Sequence, residues 1–176
     1  MNPAKRAFLV KYGEISLKGL NRRQFEERLA DQISRKLLVN QHRIRRVWGR
    51  LFVENYTDSS AVAQALGNTF GIVSFAEADV IKQNPELLDV AAVDLAKRLS
   101  KNTVEPTFKI EARRSDKNYP HTSYQIACRL GDQIRGAIPN LSVNVRNPGF
   151  VLTIEVRDHI YLYGPTSPGR GGLPVG

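Results

Sequence analysis

Between Phe108 and Ile138 the hydrophobic period changes from two to four, which fixes a strand, a loop and a helix in immediate succession. Phe108, Ile110 and Ala112 alternate with Lys109, Glu111 and Arg113, the pattern of a strand with one face buried. Arg114, Lys117, Asn118 and Tyr119 follow, and Pro120 closes the loop. Thr122 is placed as a helix N-cap, next to Ser123, with Gln125 at capping-box spacing. Ile126, Leu130, Ile134 and Ile138 then recur every fourth residue, as the buried stripe of a helix does. A strand that ends in a basic loop at a helix N-terminus brings cations, amide N–H groups and the positive end of a dipole together, which suits phosphate. On the residues alone, Arg113, Arg114 and Lys117 read as readily as solvated charges beside Asp116.

Overall charge favours the first reading. Lys and Arg number 26 against 17 Asp and Glu in 176 residues, a net charge of +9 and a pI near 9.9. An acidic partner is expected, nucleic acid ahead of an anionic membrane surface. A single cysteine excludes an internal disulfide, and Cys128 falls in the helical pattern as a small half-buried residue. No apolar run approaches membrane-spanning length and the N-terminus lacks a signal-peptide core, so a soluble cytoplasmic chain is expected.

Upstream, the periodicities alternate in the order β-α-β-β-α-β. Phe8–Tyr12 reads as a buried strand, and Asn21 as the N-cap of a helix with Phe25, Leu29, Ile33 and Leu37 on one face. Residues 43–48 and 50–56 form two strands joined at Gly49, hence a hairpin. A helix opened by Asp58 or Ser59 ends at Gly67, and residues 70–80 supply the fourth strand. This is the ferredoxin-like arrangement. It holds 13 basic and 7 acidic residues within 1–78, including Lys11, Lys18, Arg22 and Arg23 around the first helix start and Arg43, Arg45, Arg46 and Arg50 on the hairpin.

Downstream, Asn84-Pro85 opens a helix with Leu88, Ala92, Leu95 and Leu99 on one face. Strands are expected at 143–145, 150–157 and 160–163, giving a second α/β unit on a mixed or antiparallel sheet. From Gly164 to Gly176, eight of thirteen residues are Gly or Pro, which reads as a linker. The fold class is therefore α+β, with domains at 1–78 and 79–165 and a Gly/Pro-rich linker at 166–176.

Catalytic signatures are missing from this pattern. His42, His121 and His159 are scattered, no Cys/His spacing suggests a metal, and no nucleotide-binding glycine loop is present. No catalytic or metal-binding residue is assigned, and no cofactor is expected in this chain. The expectation is binding.

Lys11-Tyr-Gly-Glu-Ile-Ser-Leu-Lys-Gly19 with Asn21-Arg22 and Phe25, then Glu111-Ala-Arg-Arg-Ser-Asp-Lys117 with Tyr119-Pro120 and Thr122-Ser123, and finally Gly171-Gly-Leu-Pro-Val-Gly176 resemble, in this order, the tRNA 4-thiouridine sulfurtransferases that also serve thiamine biosynthesis. The resemblance implies an N-terminal ferredoxin-like domain followed by a THUMP domain. It implies tRNA as partner, with THUMP holding the 3′ CCA acceptor end. In the family a PP-loop domain then uses ATP and Mg to activate a uridine near the tRNA elbow, and a cysteine desulfurase supplies persulfide sulfur. That domain's Ser-Gly-Gly-x-Asp-Ser loop is not in this sequence, so the chain is expected to be the tRNA-binding region alone, unable to thiolate by itself. The candidate RNA-binding residues are then Arg113, Arg114, Lys117, Asn118, Tyr119, Thr122 and Ser123, with Lys11, Lys18, Arg22 and Arg23. Tyr119 is expected to stack on an unpaired base. Two other functions stay open: a free-standing THUMP adaptor for another tRNA-modifying enzyme, and an acylphosphatase-like hydrolase. A homodimer is also left open.

Overall fold

The described residues divide into two units: Arg6–Glu77 with 166–172, and Ala78–Pro165 with Lys5. The computed structural model describes residues 5–13, 20–37, 43–47 and 49–172.

The first unit runs β1 (Arg6–Tyr12), α1 (Leu20–Leu37), β2 (Arg43–Val47), β3 (Arg50–Glu54), α2 (Ser59–Gly67) and the start of β4 (Ile72–Ile81). Its strands lie in the order β2-β3-β1-β4. β1 pairs antiparallel with β3 (Leu9 opposite Phe52), and β2 with β3 (Val47 opposite Arg50). That register leaves two residues for the hairpin turn, and Gly49 takes the left-handed φ of +76° that such a turn requires. Phe25, Leu29 and Ile33 of α1 are buried with Val62 and Leu66 of α2 against Phe8, Val10, Leu51 and Val53. The period-four stripe of α1 thus forms one wall of this core. Asp58 caps α2 through its side chain, which accepts from the Ala61 N–H at 3.0 Å. Asn21, by contrast, is no cap: α1 already includes Leu20.

The second unit takes the end of β4 and adds α3 (Pro85–Ser100), β5 (Thr107–Arg114), α4 (Ser123–Ala137), β6 (Ser142–Val143), β7 (Phe150–Val156) and β8 (Ile160–Tyr163). Strand order here is β4-β8-β7-β5-β6. β5 is parallel to β7 and β6, while β8 is antiparallel to β7 and β4, so the sheet is mixed. Leu88, Ala92 and Leu95 of α3 and Ile126, Leu130 and Ile134 of α4 bury against Phe108, Leu152 and Ile154. Asn84 caps α3 with Pro85 in its first turn. The strand expected to reach Val145 stops at Val143, because the Asn144 side chain accepts from the N–H groups of Arg146 and Asn147 at 3.1 Å each and turns the chain. Cys128, expected to be half-buried, is exposed.

The tail corrects the linker reading over its described residues. Ser167–Pro168 form β9, antiparallel to β4, with Phe75 opposite Ser167. The pairing continues as Gly169 N–H to Val73 O (2.9 Å), Gly171 N–H to Ile72 O and Gly71 N–H to Gly171 O (both 2.7 Å). Arg170 donates to Asn68 Oδ1 at 3.2 Å and lies over the Phe70 ring. A Cβ on Gly169 would overlap the Ile72 carbonyl. Glycine is there to let two backbones approach, a use that composition does not distinguish from a flexible connector.

Candidate nucleic-acid interface

Strand β5 stays in register with β7 to its last residue, Arg114 opposite Val156, and the Ser115 N–H still donates to Val156 O at 2.9 Å. The loop 115–121 therefore starts from a fixed edge. Asp116 organises its beginning. Its Oδ1 accepts from the Asn118 N–H at 2.9 Å and its Oδ2 from the Gln83 side chain at 3.0 Å. Gln83 also donates to the Arg157 carbonyl. The Gln83 hydrogen bond, then that of Asn118, holds the Asp116 carboxyl below the usual carboxylate range.

At the far end, Thr122 and Gln125 form the expected capping box: the Gln125 N–H donates to Thr122 Oγ1 at 3.2 Å and the Thr122 N–H to Gln125 Oε1 at 2.8 Å. The box takes up two amide donors, those of Thr122 and Gln125. The N–H groups of Ser123 and Tyr124, in the first turn of α4, lie outside it.

Seven of the sequence-derived candidates lie along the end of β5, this loop and the helix start, but their roles divide. Arg113, Lys117, Asn118 and Thr122 are exposed, and Ser123 is half-buried. Arg114 is turned inward. Its Nη1 donates to the Tyr119 carbonyl at 3.1 Å and lies 3.4 and 3.5 Å from those of Lys117 and His121. Tyr119 is a correction. It is only 3% exposed and belongs to the core of the second unit, with its ring edge-on to His121. Burial pushes its hydroxyl pKa up, and the hydroxyl oxygen has no hydrogen-bond partner among the described residues. A ring so placed cannot stack on a base.

The exposed aromatic at this end of α4 is Tyr124, at 78%. It falls out of phase with the Ile126–Leu130–Ile134 stripe, which is the signal that would have found it. The sequence reading also missed the pair that ties α4 to α3. Arg129 binds Asp89 in bidentate fashion, Nη2 to Oδ2 at 2.8 Å and Nε to Oδ1 at 3.1 Å. This pair rims a shallow, open cleft that Tyr119, His121 and Leu88 also line.

In the first unit Lys11 is exposed, while Lys18 lies outside the described residues. Arg22 is engaged locally: its Nε donates to Glu26 at 3.1 Å and its Nη2 to the Tyr12 hydroxyl at 3.5 Å, and Tyr12 itself donates to Glu26. Arg23 pairs with Glu27 at 2.9 Å, as does Arg46 from β2 at 3.1 Å. Both acidic partners sit one helical turn beyond the arginine they neutralise, so the helix-start cations are less available than a count of charges suggests. Among the described residues no His, Cys, Asp or Glu group could hold a metal, and no helix is long and apolar enough to cross a membrane.

An antiparallel split β-α-β unit followed by a mixed α/β unit with a basic strand–loop–helix edge defines a tandem of ferredoxin-like and THUMP domains. Residues 7–76 match the family model of the ThiI ferredoxin-like domain and residues 82–163 that of the THUMP domain. The chain thus carries these two domains in the order the resemblance implied.

The chain is 35% identical over 172 residues to a probable tRNA sulfurtransferase of Staphylococcus aureus (strain JH1), an alignment that covers 96% of the chain and 42% of that protein. It therefore spans less than half the length of the curated relatives it matches. Among solved structures it superposes on a 4-thiouridine synthetase in complex with RNA and bound ATP, with a TM-score of 0.86 at 33% identity, over 98% of this chain and 44% of that one. The protein PH1313 of Pyrococcus horikoshii gives the same TM-score at 29% identity, over 97% of this chain and 57% of its own.

Proposed function

We propose that this chain binds tRNA, as the RNA-holding part of a tRNA 4-thiouridine sulfurtransferase. The observation that carries the reading is its likeness, across nearly its full length, to a 4-thiouridine synthetase bound to RNA. The exposed cations Arg113, at the end of β5, and Lys117, in the loop before α4, supply the chemistry: they meet phosphates of the unpaired 3′ CCA end, as do the free Ser123 and Tyr124 amides of the helix start. Tyr124 takes the base-stacking role first given to Tyr119. Sulfur transfer to a uridine near the tRNA elbow, with ATP, Mg and persulfide from a cysteine desulfurase, belongs to the full-length enzyme in the cytoplasm.

The test is the affinity of the chain for intact tRNA and for tRNA trimmed of its CCA nucleotides, each at low and moderate salt. Trimmed tRNA should bind more weakly, and binding should fall about tenfold or more as salt rises, because counterion release drives it. A variant with Arg113→Ala and Lys117→Ala should scarcely tell the two tRNAs apart, since its lost contacts are those of the trimmed end. Equal binding of both tRNAs by the wild type refutes the assignment of this loop to the 3′ end.

A further inference from the structure

Arg113 and Arg114 are adjacent and chemically identical, yet they face opposite ways. Arg114 continues the parity of Phe108, Ile110 and Ala112, which pack into or against the core of the second unit, whereas Arg113 is on the other face of β5 and exposed. Past the end of the strand, the Arg114 guanidinium reaches the carbonyls of Lys117, Tyr119 and His121, at 3.4, 3.1 and 3.5 Å. Those three residues span most of the loop between β5 and α4.

We infer that Arg114 is a positioning residue for the RNA site and makes no phosphate contact itself, a role that rests on the function proposed above. Three carbonyls gathered around one cation turn the negative ends of their peptide dipoles inward, away from an approaching phosphate. The same contacts fix the path of the chain from Lys117 to the Thr122 cap. Two further anchors act in the same direction: Asp116, held by Gln83 and Asn118, and the Tyr119 ring, buried in the core. The loop is thereby ordered before RNA arrives, and Lys117 and the first amides of α4 are presented without an ordering cost on binding. A lysine cannot replace this arginine. Its ammonium is a compact, strongly hydrated point charge, while the guanidinium is a rigid planar fork. At Arg113, where the proposed partner is a phosphate on the surface, either cation serves.

The experiment compares Arg113→Ala, Arg113→Lys, Arg114→Ala and Arg114→Lys in the full chain. It reads amide hydrogen exchange over residues 115–122 without RNA, and the affinity for a tRNA transcript with an unpaired 3′ end across a salt series. Arg114→Lys should speed loop exchange about tenfold or more and weaken tRNA about tenfold, while leaving the slope of log K against log salt unchanged, because the charge is kept. Arg114→Ala should match it in exchange. Arg113→Lys should leave loop exchange unchanged. Arg113→Ala should leave exchange unchanged and reduce the magnitude of the salt slope by about 0.7, the share of one single-strand phosphate. Loop exchange unchanged in Arg114→Lys overturns the inference whatever the RNA arm shows. So does an Arg114→Lys variant that binds tRNA as the wild type does. A wild-type chain indifferent to tRNA overturns the RNA role instead, and the exchange arm, which needs no RNA, separates that failure from the first.

Discussion

Replacing Tyr119 by Phe should stabilise the protein. The ring is 3% exposed and packs in the same cluster as Leu88, Ile126 and Leu130, so phenylalanine keeps those contacts and opens no cavity. What it removes is a hydroxyl buried without a hydrogen-bond partner among the described residues. Such a group costs roughly 1–3 kcal/mol in proteins. Allowing for slight relaxation, Tyr119→Phe should gain about 1 kcal/mol, while Tyr119→Ala, which deletes the ring, should lose about 3–5 kcal/mol. The assay is urea unfolding, with the change taken from the midpoint at constant m value. The affinity of Tyr119→Phe for tRNA should match the wild type, since a hydroxyl inside the core meets no base. Destabilisation by about 1 kcal/mol or more at unchanged m would show that the hydroxyl is bonded, and the reasoning would fail. A loss of tRNA affinity without loss of stability would return Tyr119 to the binding site.

Gly169→Ala should detach the tail from β4, because a Cβ there overlaps the Ile72 carbonyl; amide exchange at Gly71, Gly169 and Gly171 should rise together, and retained protection would refute the strand assignment. Thr122→Ala should cost about 1 kcal/mol through loss of the α4 cap and should speed exchange at the Gln125 N–H, read by the same urea and exchange measurements. Tyr12 gives a pH signature. Burial, reinforced by the hydrogen bond to Glu26, raises its pKa from the ordinary 10.0 to about 12. The unfolded chain then ionises first as pH rises, so it binds fewer protons than the folded one over that interval, and stability falls between about pH 10 and 12. Tyr12→Phe should flatten the stability curve in that window, and an unchanged slope would show that Tyr12 ionises alike in both states.

Most elements of this fold were legible because each has one buried face, and a single buried face imposes a period. The α1 stripe at Phe25, Leu29 and Ile33, the β5 alternation and the Asp58, Asn84 and Thr122 caps all follow from that or from the need to satisfy amides at a helix start. Where neither constraint operates, the sequence was ambiguous. The Gly/Pro-rich tail has no side-chain pattern to place it, and its pairing with β4 rests on backbone groups that every sequence carries. Val145 carries strand propensity, yet one Asn144 side chain turns the chain first.

The candidate site shows the same boundary at the scale of single residues. Tyr119 sits in an irregular loop, where no period says which way a side chain points, and its ring is buried in the core of the second unit. Tyr124 and Arg114 lie where a period does operate, and both directions could have been read. Tyr124 is out of phase with the α4 stripe and so faces outward, and Arg114 is in phase with Phe108, Ile110 and Ala112 and so faces inward. Net charge conceals this difference, since Arg113 and Arg114 add equally to the total of +9. A long-range field that steers RNA toward the chain responds to both arginines alike. On the reading proposed above, short-range contact responds only to the one whose parity leaves it on the surface. The number of phosphates bound should therefore be smaller than the number of cations in the motif, and the salt slope of Arg113→Ala against that of Arg114→Lys measures the difference directly.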